Sequence, residues 1–326
     1  MLEFMTQRHT GTVLRAHSSR YAVLATEGDV VECRARRRLD RSTLDCPAFP
    51  VPGDEVEWRP SSGGAAQREG VIEAVRPRRS EISRTRSGSK HVVIANLDLL
   101  VIVAAIREPQ LDRGLLDRLL ATAERTRIES LVCLSKIDLA EEAAEVGAIR
   151  ALYERAGYTV IETSTETGAG VDALRERLRD RVAAFMGASG AGKSRLIDHL
   201  QPGLHLRTGE VSVKSGQGRH TTTRVDLHRT EFGALLADTP GVREFNLWQL
   251  EPAELGSLFR EFGHVEGRCK FAPCTHTHEP ECAVRQAVTS GTIDSGRYRS
   301  YVALFDEMQA EFSIEAARGP RRGKRT

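Results

Sequence analysis

Residues 187–194 read GASGAGKS, the pattern G-x-x-x-x-G-K-[ST], and their setting decides how the chain is built. The apolar stretch Val182 to Met186 comes before them and SRLIDHL after, so the loop joins a buried strand to a helix. That context separates a phosphate-binding loop from a chance match. Gly187, Gly190 and Gly192 are read as letting backbone N–H groups converge on phosphate oxygens without side-chain clash, with Ala188, Ser189 and Ala191 completing the cradle. Lys193 is expected to neutralise the β- and γ-phosphates and Ser194 to coordinate Mg²⁺, which makes the ligand a nucleoside triphosphate. Such a loop normally opens its domain. Here it lies past the midpoint of 326 residues, so the first half needs an explanation.

Upstream, from about residue 92, VVIANLDLLVIVAAI reads as an apolar run buried on both faces of a parallel sheet, and LDRGLLDRLLATAER has helical spacing. SLVCLSKIDL adds a strand ending in a polar loop; EEAAEVGAIRALYERAG a helix; YTVIETS a strand; VDALRERLRDRV a helix. This alternation predicts an α/β domain with a parallel sheet. SKID, residues 135–138, resembles the guanine-reading N/T-K-x-D motif. One carboxylate, that of Asp138, accepts both N1–H and N2–H₂ of guanine, whereas adenine would leave it unpaired. The stem of Lys136 can pack along the base plane. TSTETGAG resembles the companion S-A-x motif, with Ser164 as anchor and Thr165 in place of the usual Ala. Past the phosphate loop, GQGRHTTTR reads as a first switch and LLADTPGV matches D-x-x-G, giving Asp238 to Mg²⁺ and the Gly241 N–H to the γ-phosphate. Thr223, with Thr222 beside it, is the expected Mg²⁺ threonine. All five elements are present in rotated order, guanine motif and companion first, so the domain reads as circularly permuted.

Before this domain, residues 11–75 hold five short β-rich runs punctuated by Gly and Pro. They predict a small barrel, an OB-fold or an SH3-like one. Tyr21, Phe49 and Trp58 are its stacking aromatics, each read as core more readily than as a platform for bases. Net charge is only +2, but Arg34, Arg36, Arg37 and Arg38 form one cluster; Arg76, Arg78, Arg79, Arg84, Arg86 and Lys90 a second; and RGPRRGKRT a third. Together they favour a polyanionic partner.

Beyond the α/β domain, CKFAPCTHTHEPEC places Cys269, Cys274, His276 and Cys282 within fourteen residues, a set suited to a closed, structural Cys₃His zinc site, with His278 as a competing ligand. Cys33, Cys46 and Cys133 read as buried small apolar residues. LEPAELGSLFREF and YRSYVALFDEMQAEF are expected helices around the site. No run of about 18 apolar residues suggests a membrane span, and MLEFMTQRHT lacks a secretory pattern, so a soluble cytoplasmic protein is expected.

The rotated order, Gly218 to Thr223 as GxHTTT, Asp238 to Phe245 as DTPGVREF and the downstream Cys/His cluster together resemble the RsgA (YjeQ) family of GTPases dependent on the small ribosomal subunit. The resemblance covers nearly the whole chain. It implies an OB-fold barrel over residues 1–80, a circularly permuted GTPase domain over 81–246 and a helical zinc-binding domain over 247–326. It also implies binding of GTP/GDP with Mg²⁺, one structural zinc per chain, and action as a monomer on the 30S subunit and 16S rRNA in late maturation, with hydrolysis coupled to release. The family spacing C-x₄-C-x-H-x₅-C selects His276 over His278. Two departures stand out: Ser135 where Asn or Thr is usual, loosening the guanine pocket, and Arg195 in place of a small residue after the phosphate loop. Val242 stands where Ras-like proteins place the water-orienting Gln, so intrinsic hydrolysis should be slow, with His220 the local candidate to polarise the water. Two rivals stand beside this reading: an ATP-dependent P-loop enzyme, and a nucleic-acid-binding module whose nucleotide site only regulates.

Overall fold

Strands of alternating character close the N-terminal part into a barrel. They are β1 (His9–His17), β2 (Arg20–Ala25), β3 (Val30–Ala35), β4 (Glu55–Pro60) and β5 (Glu69–Val75). In β4, Val56 and Trp58 point inward at 0% and 4% exposure while Glu55 and Glu57 alternate with them on the other face, the period of two that a half-buried strand requires. A computed structural model of the chain describes residues 8–36, 49–61, 69–86, 89–204, 225–238 and 250–318. The barrel order is β1-β2-β3-β5-β4, with β4 returning to β1 and with β3 and β5 parallel. That is OB-type closure, not SH3-like. Tyr21 and Trp58 are core residues, whereas Phe49 is 70% exposed.

The apolar run after residue 92 divides between two sheets. Its first part lies in β7 (Ser89–Ala95), which pairs with β6 (Glu81–Arg86) in a separate antiparallel hairpin. Only β8 (Leu99–Ala105) enters the parallel sheet. The break is at Asn96, buried at φ 54°, whose side chain donates to Gly53 O at 2.9 Å and accepts from Arg79 N at 2.8 Å. A polar residue inside an apolar run thus ties barrel, linker and sheet together. Nearby, Arg78 grips Asp54 through two bonds of 2.7 and 2.9 Å and also pairs with Glu81, so this member of the second basic cluster is used structurally and is not free for a polyanion.

The central sheet has the order β10-β9-β8-β11-β13-β12. Its remaining elements, in chain order, are α1 (Arg113–Thr126), β9 (Glu129–Ser135), α2 (Ala143–Arg155), β10 (Thr159–Glu162), α3 (Val171–Leu178), β11 (Val182–Gly187), α4 (Lys193–Leu200), β12 (Leu227–Arg229) and β13 (Leu235–Asp238). All neighbours are parallel except β12 on β13. The predicted helix from Val171 ends at Leu178, and three residues separate it from β11, where the chain re-enters the sheet. Alternate residues of β8 serve opposite faces. Leu100 and Ile102 pack with Leu116, Leu119 and Leu120 of α1; Leu99, Val101 and Val103 pack with Leu174 of α3 and Leu196, Ile197 and Leu200 of α4. Each fully buried Leu of this kind contributes about 1.5–3 kcal/mol.

The C-terminal part builds a third core on α1. It comprises a 3₁₀ turn at Pro252–Leu258, α5 (Ala283–Thr289) and α6 (Ser295–Arg318). The expected helix in LEPAELGSLFREF is 3₁₀ in form and covers only Pro252–Leu258. Gly256 in it meets the His276 ring, where an added Cβ would lie 3.1 Å from Cδ2. Ala121 of α1 belongs to this third core, together with Phe259, Phe262, Tyr301 and Phe305. Arg297 of α6 is 1% exposed and bonds Glu261 at 2.7 and 3.0 Å and Asp117 of α1 at 2.7 Å; Tyr153 of α2 also donates to Asp117, at 2.9 Å. Burial disfavours the guanidinium charge, but Glu261 and Asp117 more than offset that and hold its pKa above the ordinary value.

Candidate functional site

The C-terminal ends of β9, β10, β11 and β13 lie at one edge of the sheet, the place where open α/β sheets receive ligands. The loop from β11 to α4 runs from Gly187 to Ser194. Gly187 has φ 150°, and a Cβ there would lie 2.1 Å from Val103 O of β8. Its glycine is thus required by backbone approach to the neighbouring strand. Lys193 caps the loop from inside, its Nζ donating to Gly187 O at 3.0 Å and Ala188 O at 2.9 Å. Burial lowers its pKa from the ordinary lysine value, and Asp238 opposes that shift. Ser194 Oγ donates to Asp238 Oδ2 at 2.5 Å, so the end of β13 and the first turn of α4 present a hydroxyl and a carboxylate side by side. That pair of oxygens suits a hard divalent cation.

The loops that follow β9 and β10 meet beside the phosphate loop. Ser164 Oγ, fully buried, donates to Asp138 Oδ1 at 2.5 Å and accepts the N–H groups of Glu166 and Thr167, both at 3.2 Å. This fixes one carboxylate oxygen of Asp138. Gly170 makes the loop possible, since a Cβ at its φ of 70° would lie 1.8 Å from Glu162 O. Ser135 Oγ donates to Ala191 O at 2.7 Å and so ties the end of β9 to the phosphate loop. The Ser at this position therefore contributes a clamp between the two loops. Lys136, at φ 56°, donates to Glu108 O. Two partners were not singled out in the sequence. Glu108 takes part through its backbone carbonyl, which carries no side-chain signal, and Glu166 pairs with Arg195 at 2.5 Å across the site. His220, Thr222, Thr223, Gly241 and Val242 lie outside the described residues.

A second cluster lies in the C-terminal part. The donor atoms of Cys269, Cys274, His276 and Cys282 all fall within 4.8 Å of one another. His276 Nδ1 is 3.6 Å from Cys269 Sγ and 3.4 Å from Cys282 Sγ, and those two sulfurs are 4.0 Å apart. A tetrahedral zinc with Zn–S of about 2.3 Å and Zn–N of about 2.0 Å has edges of about 3.8 Å between sulfurs and about 3.5 Å from sulfur to nitrogen. The residues fit that group. Burial lowers the His276 pKa, favouring the neutral imidazole that metal binding requires, and pushes the Cys274 thiol up to about 12, a charge cost that a bound cation would reverse. His278 is exposed and bonds to Thr277 Oγ1 at 2.9 Å instead. The loop is braced from behind. Tyr298 and Tyr301 donate to the carbonyls of His276 and Thr275 at 2.8 and 2.5 Å. Despite the opposing effect of partial burial, hydrogen bonds from Thr275 hold the Glu279 carboxyl down at about 2. Cys33 and Cys133 are buried, and burial pushes both thiols up to about 12; Cys46 lies outside the described residues.

A parallel sheet that carries S-K-I-D on a strand preceding its phosphate loop, with D-x-x-G following, defines a circularly permuted P-loop GTPase. Comparisons place it further. The family model described as RsgA GTPase matches residues 75–248. A protein of Caldanaerobacter subterraneus subsp. tengcongensis named small ribosomal subunit biogenesis GTPase RsgA is 37% identical over 93% of this chain and 97% of its own. The crystal structure of YjeQ from Thermotoga maritima superposes with a TM-score of 0.75 at 31% identity, covering 93% of this chain and 99% of that one. YloQ, a circularly permuted GTPase, gives 0.74 at 27% identity over 97% and 98%. The chain belongs to the RsgA GTPase family and is a GTP-hydrolysing enzyme. Among the described residues, no helix is long and apolar enough to cross a membrane.

Proposed function

We propose that this chain is a cytoplasmic biogenesis factor for the small ribosomal subunit, which binds the 30S particle and its 16S rRNA as a monomer in late maturation and uses GTP hydrolysis as a release switch. The observation that carries the reading is the convergence at one sheet edge of Lys193, the Ser194–Asp238 pair and the Ser164–Asp138 pair, in a chain whose relatives are named for small-subunit biogenesis. In this assignment Gly187 to Ser194 cradle the phosphates, and Lys193 neutralises charge on the β- and γ-oxygens. Asp138 reads the guanine edge, Ser164 fixes that carboxylate, Lys136 lies along the base, and Ser135 holds the guanine loop to the phosphate loop. Ser194, Thr223 and Asp238 would hold Mg²⁺, which supplies positive charge at the phosphate oxygens when bound. Gly241 would sense the γ-phosphate, and His220 would orient the attacking water. Cys269, Cys274, His276 and Cys282 would hold a structural zinc that fixes the C-terminal loop.

The test is GTP turnover by the purified chain with and without isolated small subunits, beside ATP and a large-subunit control. Stimulation specific to GTP and to the small subunit is the expected result. Robust turnover without ribosomes, or equal use of ATP, would overturn the switch reading. His220→Ala should lose the stimulated turnover while retaining binding to the subunit.

A further inference from the structure

Arg195 follows Ser194 directly and sits in the first turn of α4, where its Nη1 lies 2.5 Å from Glu166 Oε1. The two side chains come from opposite ends of the site. Arg195 belongs to the element that begins at the phosphate loop, and Glu166 to the loop that follows β10. The Glu166 N–H donates to Ser164 Oγ at 3.2 Å, and that hydroxyl donates to Asp138 Oδ1 at 2.5 Å. A continuous series of contacts therefore runs from the phosphate end to the base-reading carboxylate. A nucleotide with its phosphates at the start of α4 and its base at Asp138 has its ribose between these two points, and the ion pair joins the same two elements.

The pair is poor at stabilising the fold. Its side chains are 66% and 54% exposed, and exposed ion pairs are weak and screened by salt. A link that adds little to folding yet joins both ends of a binding site is placed to affect ligand exchange. Resting on the nucleotide-site reading above, we propose that Arg195 and Glu166 form a strap along the ribose side of the bound nucleotide. The strap slows nucleotide release and, through Glu166 and Ser164, keeps Asp138 aimed at the guanine edge. Both are positioning residues for guanine recognition.

The experiment is stopped-flow release of fluorescently labelled GDP from the full chain, with competition by unlabelled GDP and IDP, for the parent, Arg195→Ala, Arg195→Lys, Glu166→Gln and the Arg195→Ala/Glu166→Gln double variant. IDP lacks the N2 amine, so the ratio of GDP to IDP affinity reports the aim of Asp138. Each charge-removing single variant should release GDP about two- to fivefold faster at low salt, and the double variant no faster than the singles. Arg195→Lys should fall between parent and Ala, and the preference for GDP over IDP should drop in both charge-removing variants. Raising the salt should bring the parent to the variants' rate. If the effects of the single variants multiply in the double, Arg195 acts on the nucleotide by itself and the strap is overturned. An unchanged preference for GDP over IDP overturns the positioning role. A parent chain that binds no GDP overturns the nucleotide-site reading and the strap with it, whereas measurable release with multiplicative variants removes the strap alone.

Discussion

Replacing Arg297 with Met should unlock the C-terminal core from the sheet without touching the nucleotide site. The substitution keeps most of the aliphatic stem but leaves Asp117 and Glu261, 0% and 9% exposed, without their shared cation. Removing one partner from a buried ion pair costs about 3–5 kcal/mol. At tenfold per 1.4 kcal/mol, the population of the opened interface should rise by roughly two to three and a half powers of ten. Hydrogen-exchange mass spectrometry of peptides from α1 and α6 reads that opening directly. The pH dependence has a defined sign. Burial already lifts the Asp117 carboxyl above the usual range, and loss of the guanidinium lifts it further. A carboxyl with a raised folded-state pKa stabilises the fold at low pH and loses that contribution as pH rises through the folded value. The deficit of the variant should therefore be larger at about pH 8 than at about pH 5. Combining Arg297→Met with Asp117→Asn and Glu261→Gln should recover most of the loss, because no unpaired charge remains. Exchange in α1 and α6 that stays within about threefold of the parent would refute the reasoning.

Three further outcomes are expected. Asp138→Ala should weaken GTP binding by about 10- to 150-fold, the worth of charge-assisted hydrogen bonds of about 1.5–3 kcal/mol, and leave ATP binding almost unchanged in a fluorescence titration. Lys193→Ala should lower single-turnover GTP hydrolysis by about 10²- to 10³-fold, as loss of a positioned charge-stabilising donor does elsewhere. Cys274→Ser should reduce the zinc content found by atomic emission from about one per chain and lower the melting transition of the C-terminal core.

The parts legible in the sequence were those whose chemistry is local. The phosphate loop, SKID and the four Cys and His residues suited to a metal each lie within fourteen consecutive positions, and the barrel strands announce themselves by alternation between turn residues. Two kinds of feature were not legible. The break at Asn96 sits inside an apolar run that periodicity reads as one strand; only the contacts to Gly53 and Arg79 reveal the turn. The other is pairing across distance. No motif or cluster singles out Arg297 in the sequence; its partners, 36 and 180 positions away, are brought beside it by packing. The same holds for Arg78, which the sequence groups with surface arginines and the fold spends on Asp54. Ser135 shows a third limit. The sequence marked it as a departure, and the structure gives it a partner in Ala191 O that residue type alone does not specify.

The seam between α1 and α6 also sets an order of events during synthesis. Asp117 leaves the ribosome 180 residues ahead of Arg297, the cation that neutralises it. At about 5–20 residues per second, the face of α1 that belongs to the third core waits roughly 10–40 s for its covering. The parallel sheet can assemble in that interval, but with Ala121 and a buried-type carboxylate turned to solvent. The face of α1 turned away from the sheet is covered only when the helix carrying Arg297 emerges.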